Sequence, residues 1–518
     1  MDYSTVFVCL LSLLILCGVF SKKLLNTCSG NSSGLPFPPG PTPRFLSGNL
    51  HEIPTRLPWL TYTDWKRRYG DIVHARIFGQ HIVFVNSLKI ASDLFEKRSH
   101  IYSDRPAAPM IELIGWDFNT GLMPYTDRWR RSRRLFQLCF RQDASRTYRP
   151  VQMDKIHDFL RGLLSHPEEF VSLYKTVAAA IIMKIVYGYD VKPMNDHFVT
   201  LSENAVKKLS DTALPGAAAV NAFPILRHLP GWLPGCGFQY FAAECRKLTE
   251  EMRQVPLDFV KQNLREGVGA NSIVATLLEA NQARGSSEQQ EKTIREVAAT
   301  AYAAGSDTTV SSLGTFFFAM ATHPEIQKRA QDEIDGVIGP HRLPEFEDRP
   351  SLPFVEALYR EVMRWHPVLP LGVAHAAIED DVYEGYFIPG GATVISNIWA
   401  MTHDESIYPD PDTFNPDRFL TAEGKLNDDD NVLAFGFGRR ICVGRHTAGT
   451  SVWLTIVSVL STFNIAKAKD AAGNEIDIDP VYSDGFVSHP HAFQCSIAPR
   501  SETAKSLVEA TADHVPHL

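Results

Sequence analysis

The run FGFGRRICVG, residues 435–444, decides how this chain is read. Gly436 and Gly438 admit backbone conformations closed to other residues and leave room for a flat cofactor. Arg439 and Arg440 put positive charge beside Cys442, which favours thiolate over thiol. An apolar segment of helical length follows, with Val452, Leu454, Ile456, Val459, Leu460 and Phe463. Cys442 would stand at the N-terminus of that helix, where backbone N–H groups and the helix dipole also favour negative charge. The loop therefore reads as a device that delivers one thiolate to an iron.

A cysteine in an apolar stretch is, without context, more often a buried small side chain. Here the context is Phe-x-x-Gly-x-Arg-x-Cys-x-Gly, met at Phe435, Gly438, Arg440, Cys442 and Gly444. This pattern resembles the haem-ligand signature of the cytochrome P450 family, and the resemblance runs the length of the chain. It implies a mainly α fold with small β-sheets, one large haem domain over residues 46–518, and haem b as cofactor. Cys442 would be the axial iron ligand, Phe435 would shield the sulfur and Arg440 would meet a haem propionate. A thiolate suits this place because its electron donation into iron favours O–O cleavage.

Working outward, Ala304-Gly305-Ser306-Asp307-Thr308-Thr309 lies inside a long apolar helix pattern over residues 293–322. Gly305 costs helix stability, so it wants a reason. Close passage over a flat ligand is one; a small-residue packing contact is the other. The tract is similar to the family's oxygen-binding motif at every position. That resemblance implies that Thr308 hydrogen-bonds bound dioxygen and Asp307 helps relay protons, a kind of assistance typically worth about 10²–10⁴-fold. Glu361 and Arg364, spaced i and i+3, share a helix face. With Arg418 of the FNPDRF run they resemble the family's buried charge network, a structural feature. Trp129 and Arg133 match the family's Trp-x-x-x-Arg and would donate to a propionate. Arg130, Arg131 and Arg134 read as a solvated face, or as a dock for an acidic redox partner. His375 stands where the family carries an Arg or His facing a propionate.

Net charge is −8, which lends no support to nucleic-acid binding. The eight cysteines show no C-x-x-C spacing and suit a reducing compartment. Residues 1–25 hold an apolar run followed by Lys22 and Lys23. Its length and the charge that follows it predict an uncleaved, single-pass anchor with the remainder cytosolic, as in family members on the endoplasmic reticulum membrane. Residues 26–45 contain LPFPPGPTP and read as a stiff proline-rich hinge. Strand patterns are expected at residues 72–77 and 81–85, and as a pair at residues 383–388 and 393–398, turned by Pro389-Gly390-Gly391. No G-x-G-x-x-G follows a strand: Ile441 occupies the third glycine position after Gly436 and Gly438. Electrons would come from a separate protein, by resemblance an NADPH-dependent P450 reductase.

The resemblance implies a membrane-anchored haem-thiolate monooxygenase that oxidises an apolar small molecule with O2. Runs such as Gly115-Trp116-Asp117-Phe118 and HPHAFQC (residues 489–495) resemble basidiomycete fungal members, which often act in secondary metabolism on sesquiterpene skeletons or indole amines. Substrate-facing segments by family position are residues 110–122, 213–223, 301–304, 369–373 and 483–487. They are mainly apolar, with Glu112, Asp117 and Asp484 as the acids able to hold an ammonium, so a terpenoid is preferred to an amine or xenobiotic. An O2-independent haem-thiolate isomerase is the rival; the intact Asp307-Thr308 pair argues against it.

Overall fold

The computed structural model describes residues 34–193, 196–213, 219–233, 235–268, 271–430 and 432–513. The expected anchor lies outside the described residues. By packing, the described residues form two compact units, each discontinuous in sequence: residues 34–107, 371–401 and 437–439 in unit 1, and the remaining described residues in unit 2.

Unit 1 is built on a four-stranded sheet beside helix α1 (Pro58–Tyr69). Strand β1 (Ile72–Ile77) pairs antiparallel with β2 (Gln80–Val85) across Phe78 and Gly79, both at positive φ. β3 is His375–Ala376, β4 Asp381–Tyr383, β5 Tyr386–Ile388 and β6 Thr393–Ser396. The first strand expectation holds; the second is corrected. Residues 383–388 are not one strand, because Glu384 (φ 49) and Gly385 (φ 83) turn the chain and pair β4 with β5. β6 ends at Ser396 and runs parallel to β2, with β3 on its other edge. A Gly-rich turn signals a reversal but does not choose the partner strand.

The described part of the proline-rich segment is fastened to β1 of the four-stranded sheet and to β5 of the β4–β5 pair. His74 N–H donates to Pro39 O (2.9 Å), Phe387 N–H donates to Pro36 O (2.8 Å), and Phe37 stacks on His74 at 4.8 Å. A Cβ on Gly40 would lie 1.9 Å from the His74 carbonyl oxygen, so only glycine permits this approach.

Unit 2 is helical. Its framework for the site is α2 (Asp127–Phe140), α3 (Phe170–Tyr187), α4 (Glu288–Thr322), α5 (Pro353–Trp365) and α6 (Arg445–Thr462), with a ribbon of β7 (Phe463–Lys467) and β8 (Cys495–Pro499). α4 packs on the other four helices. It begins earlier than the apolar pattern suggests, because Ser287 caps Gln290 N–H and Glu288 and Glu291 complement the dipole of a polar first turn. Pro324 follows its end. Pro167–Tyr187 is the one helix, among the described residues, long and apolar enough to cross a membrane. Most of it is buried, with Val177, Ile181 and Met183 in the core, so it serves as a core helix here.

Candidate active site

Between Glu296 and Ala321 every residue of α4 is buried except the five from Ala304 to Thr308. A helix buried on all sides has no reason to expose five consecutive residues unless one stretch borders a space. Those five are the AGSDT of the oxygen-motif expectation. Thr308 Oγ1 donates to Ala304 O at 2.7 Å and Ser306 Oγ to Tyr302 O at 3.0 Å, so both hydroxyls back-bond within the helix. Gly305 corrects its first-offered reason. A Cβ there would sit 3.1 Å from Ile182 Cγ1, so the glycine serves close packing of α3 on α4. Ala304, not Gly305, is the exposed member of the pair.

Cys442 is positioned from both sides. Its N–H donates to Phe435 O at 2.8 Å, closing the loop upon itself. Downstream, Gly444 caps α6, and a Cβ on Gly444 would lie 3.9 Å from the Cys442 sulfur. The residue is exposed by surface area, yet burial pushes its thiol pKa up. A side chain that is open and also desolvated lines an interior space. The backbone N–H groups of Gly444 and Arg445 and the charges of Arg133 and Arg445 pull the other way without prevailing. A thiolate here therefore wants a metal cation to complete its stabilisation.

The glycines of the loop have separate jobs. Gly436 (φ 71) and Gly438 (φ 53) both need positive φ. A Cβ on Gly438 would stand 2.0 Å from Phe95 O, so this glycine makes room for backbone rather than for a cofactor.

Arg133 and Arg440 frame the site. Arg133 donates to Ile441 O at 2.8 Å, and burial lowers its pKa against the opposing pull of Cys442. The Arg440 guanidinium lies over the Trp129 ring at 4.3 Å and donates to Thr120 O at 3.3 Å. Trp129, Arg133, Arg440, Phe435 and Cys442 thus form one connected set with α2 at its back. His375 belongs to unit 1, buried on β3 with its ring 4.4 Å from Phe95. Its Nδ1 is 2.7 Å from Tyr102 O; a carbonyl only accepts, so Nδ1 carries the hydrogen.

Elsewhere in unit 2, Arg364 donates Nε to Glu361 Oε2 (2.6 Å) and Nη2 to Oε1 (2.8 Å), and Arg418 Nε donates to Oε1 (3.1 Å). Asn415 N–H adds a further bond to Glu361 at 2.8 Å. Two acids set out for an ammonium already have partners: Glu112 with Arg227 (3.1 Å) and Asp117 with Arg128 (3.0 Å). Arg128 also grips the buried Glu296 of α4 at 2.8 Å. Local spacing held no sign of that bridge. Nor did it show that His489 meets Asp307, since the two are far apart in sequence.

Among the described residues, no group of three or more His, Cys, Asp or Glu side chains is placed to hold a metal ion. A lone cysteine fits an iron that brings its own equatorial ligands, which is what haem does. The sequence model of the family described as Cytochrome P450 matches residues 38–497.

The chain belongs to the cytochrome P450 family.

Its relatives agree. Cytochrome P450 monooxygenase 208 of Postia placenta is 41% identical over 479 residues, 92% of each chain. Cytochrome P450 monooxygenase COX2 of Coprinopsis cinerea is 40% identical over 496 residues, 95% of this chain and 94% of its own. Cytochrome P450 monooxygenase claR of Ampulloclitocybe clavipes is 40% identical over 502 residues, covering 96% and 92%. P450 membership makes haem with an axial cysteine thiolate the cofactor and oxidoreduction the enzyme class. The open thiol, the accessible stretch of α4 and the flanking arginines fit that group.

Proposed function

We propose that this P450 is a membrane-anchored monooxygenase, with Cys442 as the axial iron ligand, that oxidises an apolar small molecule of the terpenoid class in secondary metabolism. The observation that carries the ligand assignment is Cys442 itself: open, desolvated, and faced by the N–H groups of Gly444 and Arg445. When bound, the haem supplies the activation of O2 that puts one oxygen atom into substrate and releases the other as water. The chain's part is to hold, orient and protonate. Trp129, Arg133, Arg440 and His375 would hold the propionates, Phe435 would shelter the sulfur, and Ala304 would leave space for substrate. Thr308 Oγ1 would turn from Ala304 O to donate toward bound oxygen, with Asp307 passing protons behind it.

Terpenoid is favoured over amine because Glu112 and Asp117 are already held by arginines. The NADPH-dependent reductase is assigned to α2, where Arg130, Arg131 and Arg134 are exposed and Arg130 and Arg134 border an open groove with Trp129, Arg133, Gln137, Leu138 and Arg141. Exposed arginines beside it suit an acidic partner. The anchor over residues 1–25 and residence on the endoplasmic reticulum membrane rest on the sequence pattern.

The test of the ligand is Cys442→Ser: the reduced, CO-bound spectrum should lose the strongly red-shifted Soret band that marks thiolate ligation. A band that stays red-shifted would overturn the assignment. The substrate class is tested by expressing the chain in yeast with a matched reductase and profiling products from a panel of sesquiterpenes and indole amines. Products from the amines alone would overturn the terpenoid reading.

A further inference from the structure

One stripe of α4 carries the segment of residues 482–493. Asp307 meets His489, with Nε2 3.2 Å from Oδ1. One turn on, Ser311 Oγ donates to Ser488 O. Gly314 comes next: a Cβ there would lie 2.8 Å from Pro490 Cγ. Then Tyr482 OH donates to Thr315 Oγ1 at 3.2 Å, and Phe318 packs on Phe493 at 5.8 Å. Positions 307, 311, 314, 315 and 318 follow the i, i+4, i+7, i+8, i+11 spacing of a single helix face.

The segment also ties its own backbone at His489. His489 N–H donates to Ser483 Oγ (2.9 Å), Ser483 N–H donates to His489 O (2.8 Å), and Ser488 N–H donates to Val368 O (2.9 Å). The imidazole is therefore delivered from a fixed backbone rather than from a loose loop. Asp307 and His489 side chains are 27% and 29% exposed, so the pair is neither sealed nor fully wet. Among the described residues, His489 is the ion-pair partner of Asp307. An arginine guanidinium can only donate, whereas an imidazole can both give a proton and take one back.

We propose that His489 is a positioning residue for Asp307: it holds the carboxylate in one orientation and refills it with protons from solvent. The step balances simply. The imidazolium Nε2–H bond breaks and an Oδ1–H bond forms, leaving neutral histidine and a carboxylic acid. Asp307 passes that proton on to water beside Thr308, and His489 takes a replacement from bulk solvent. The inference rests on the role given to Asp307 above.

The test uses the full-length holoenzyme in membranes, with excess reductase and no added substrate. It reads the rate of NADPH consumption in H2O and in D2O. It also reads the C–O stretching band of the reduced, CO-bound enzyme, which senses polarity over the haem without turnover. Asp307→Asn should slow NADPH consumption about tenfold or more and raise the solvent isotope effect. His489→Gln should do the same to a smaller degree, about three- to tenfold, and the double variant should be no slower than Asp307→Asn alone. The band should shift in both single variants and stay put in His491→Gln, an exposed histidine of the same segment. His489→Arg should keep the band in place, since it still pairs the carboxylate, yet remain slow, since it holds its proton. If His489→Gln does not retain haem, His489→Arg and His489→Asn carry the test. A slow Asp307→Asn beside a His489→Gln of wild-type rate and band would overturn the His489 role alone. An Asp307→Asn of wild-type rate would overturn the reading of Asp307 itself.

Discussion

Two acidic residues on neighbouring helices of unit 2 use charge in opposite ways. Glu361 is 0% exposed, with Arg364 at 3% and Arg418 at 6%. Its oxygens are taken by two guanidinium groups and the Asn415 N–H, while Arg364 also donates to Thr402 O (2.8 Å) and Pro411 O (2.9 Å). Asp307 is more than a quarter exposed and faces one histidine at 3.2 Å. A sealed network whose oxygens are all hydrogen-bonded loses its balance when one partner is removed, and so serves to define the fold around it. The Asp307–His489 pair is open enough for water to reach it, which is what the proposed relay asks of it. The contrast sets a sealed use of charge beside an open one.

Breaking the sealed side should have the largest effect. Arg364→Ala leaves Glu361 buried with its bidentate partner gone, at a cost of about 3–5 kcal/mol. Most of the holoenzyme should be lost, read as the yield of the red-shifted CO band and as a fall in the urea midpoint. A variant as stable as wild type would erase the distinction.

Thr308→Ala works on the open side. It should leave the melting temperature near wild type, because alanine is the better helix former and the hydroxyl only back-bonds to Ala304. Product formed per NADPH should fall about tenfold or more, with peroxide released in its place. An unchanged ratio would remove Thr308 from the relay.

Acid sharpens the same contrast. Burial, then the charges of His403 and Arg364, lower His366 to about 3; it stacks on Tyr482 at 3.7 Å. Burial with His81 and Arg76 lowers His74 to about 3, and burial with Arg76 lowers His81 to about 4. The unfolded chain protonates these rings below about 6.5, while the fold keeps them neutral until much lower pH. Their contribution is therefore complete above about pH 6.5 and is lost as pH falls toward 4, by at most about 1.4 kcal/mol per histidine per pH unit. The urea midpoint should drop between pH 6.5 and 4.5. His366→Phe should flatten that slope; an unaltered slope would mean His366 is not held neutral.

The smallest structural effect is expected at the surface. Arg131 is exposed on α2, so Arg131→Glu should change stability by no more than about 0.5 kcal/mol. It should slow reduction by the reductase at low salt, and added salt should narrow the gap. Equal reduction rates at low salt would take Arg131 out of the docking face.

Much of the site was legible because its motifs are local. The closure of Phe435 on Cys442, the helix that starts at Arg445, the pairing of Glu361 with Arg364 and the shared face of Trp129 and Arg133 all act within a turn or a short loop. Residue type and spacing therefore announce them. The glycines show where local reading stops. Of the two reasons open for Gly305 the packing contact holds, since Ile182 occupies the place, and at Gly438 the Phe95 backbone stands where the sequence reading leaves room for a cofactor. A glycine shows that something comes close, not what comes close.

By itself, then, the chain's order of residues determined the thiolate loop, the long helix with its polar interruption, the mainly helical architecture and the P450 family. The first three follow from periodicity, turn chemistry and short-range spacing, and the family from the resemblance that its motifs carry. Only the tertiary structure decided that β6 lies beside β2, that Arg440 stacks on Trp129, that Arg128 bridges Asp117 to Glu296, and that His489 reaches Asp307. Each joins segments distant in sequence, and their meeting depends on how whole faces pack. On α4, Ser311, Gly314 and Thr315 seat residues 482–493, and that seating is what brings an imidazole to a carboxylate no local pattern could have paired with it.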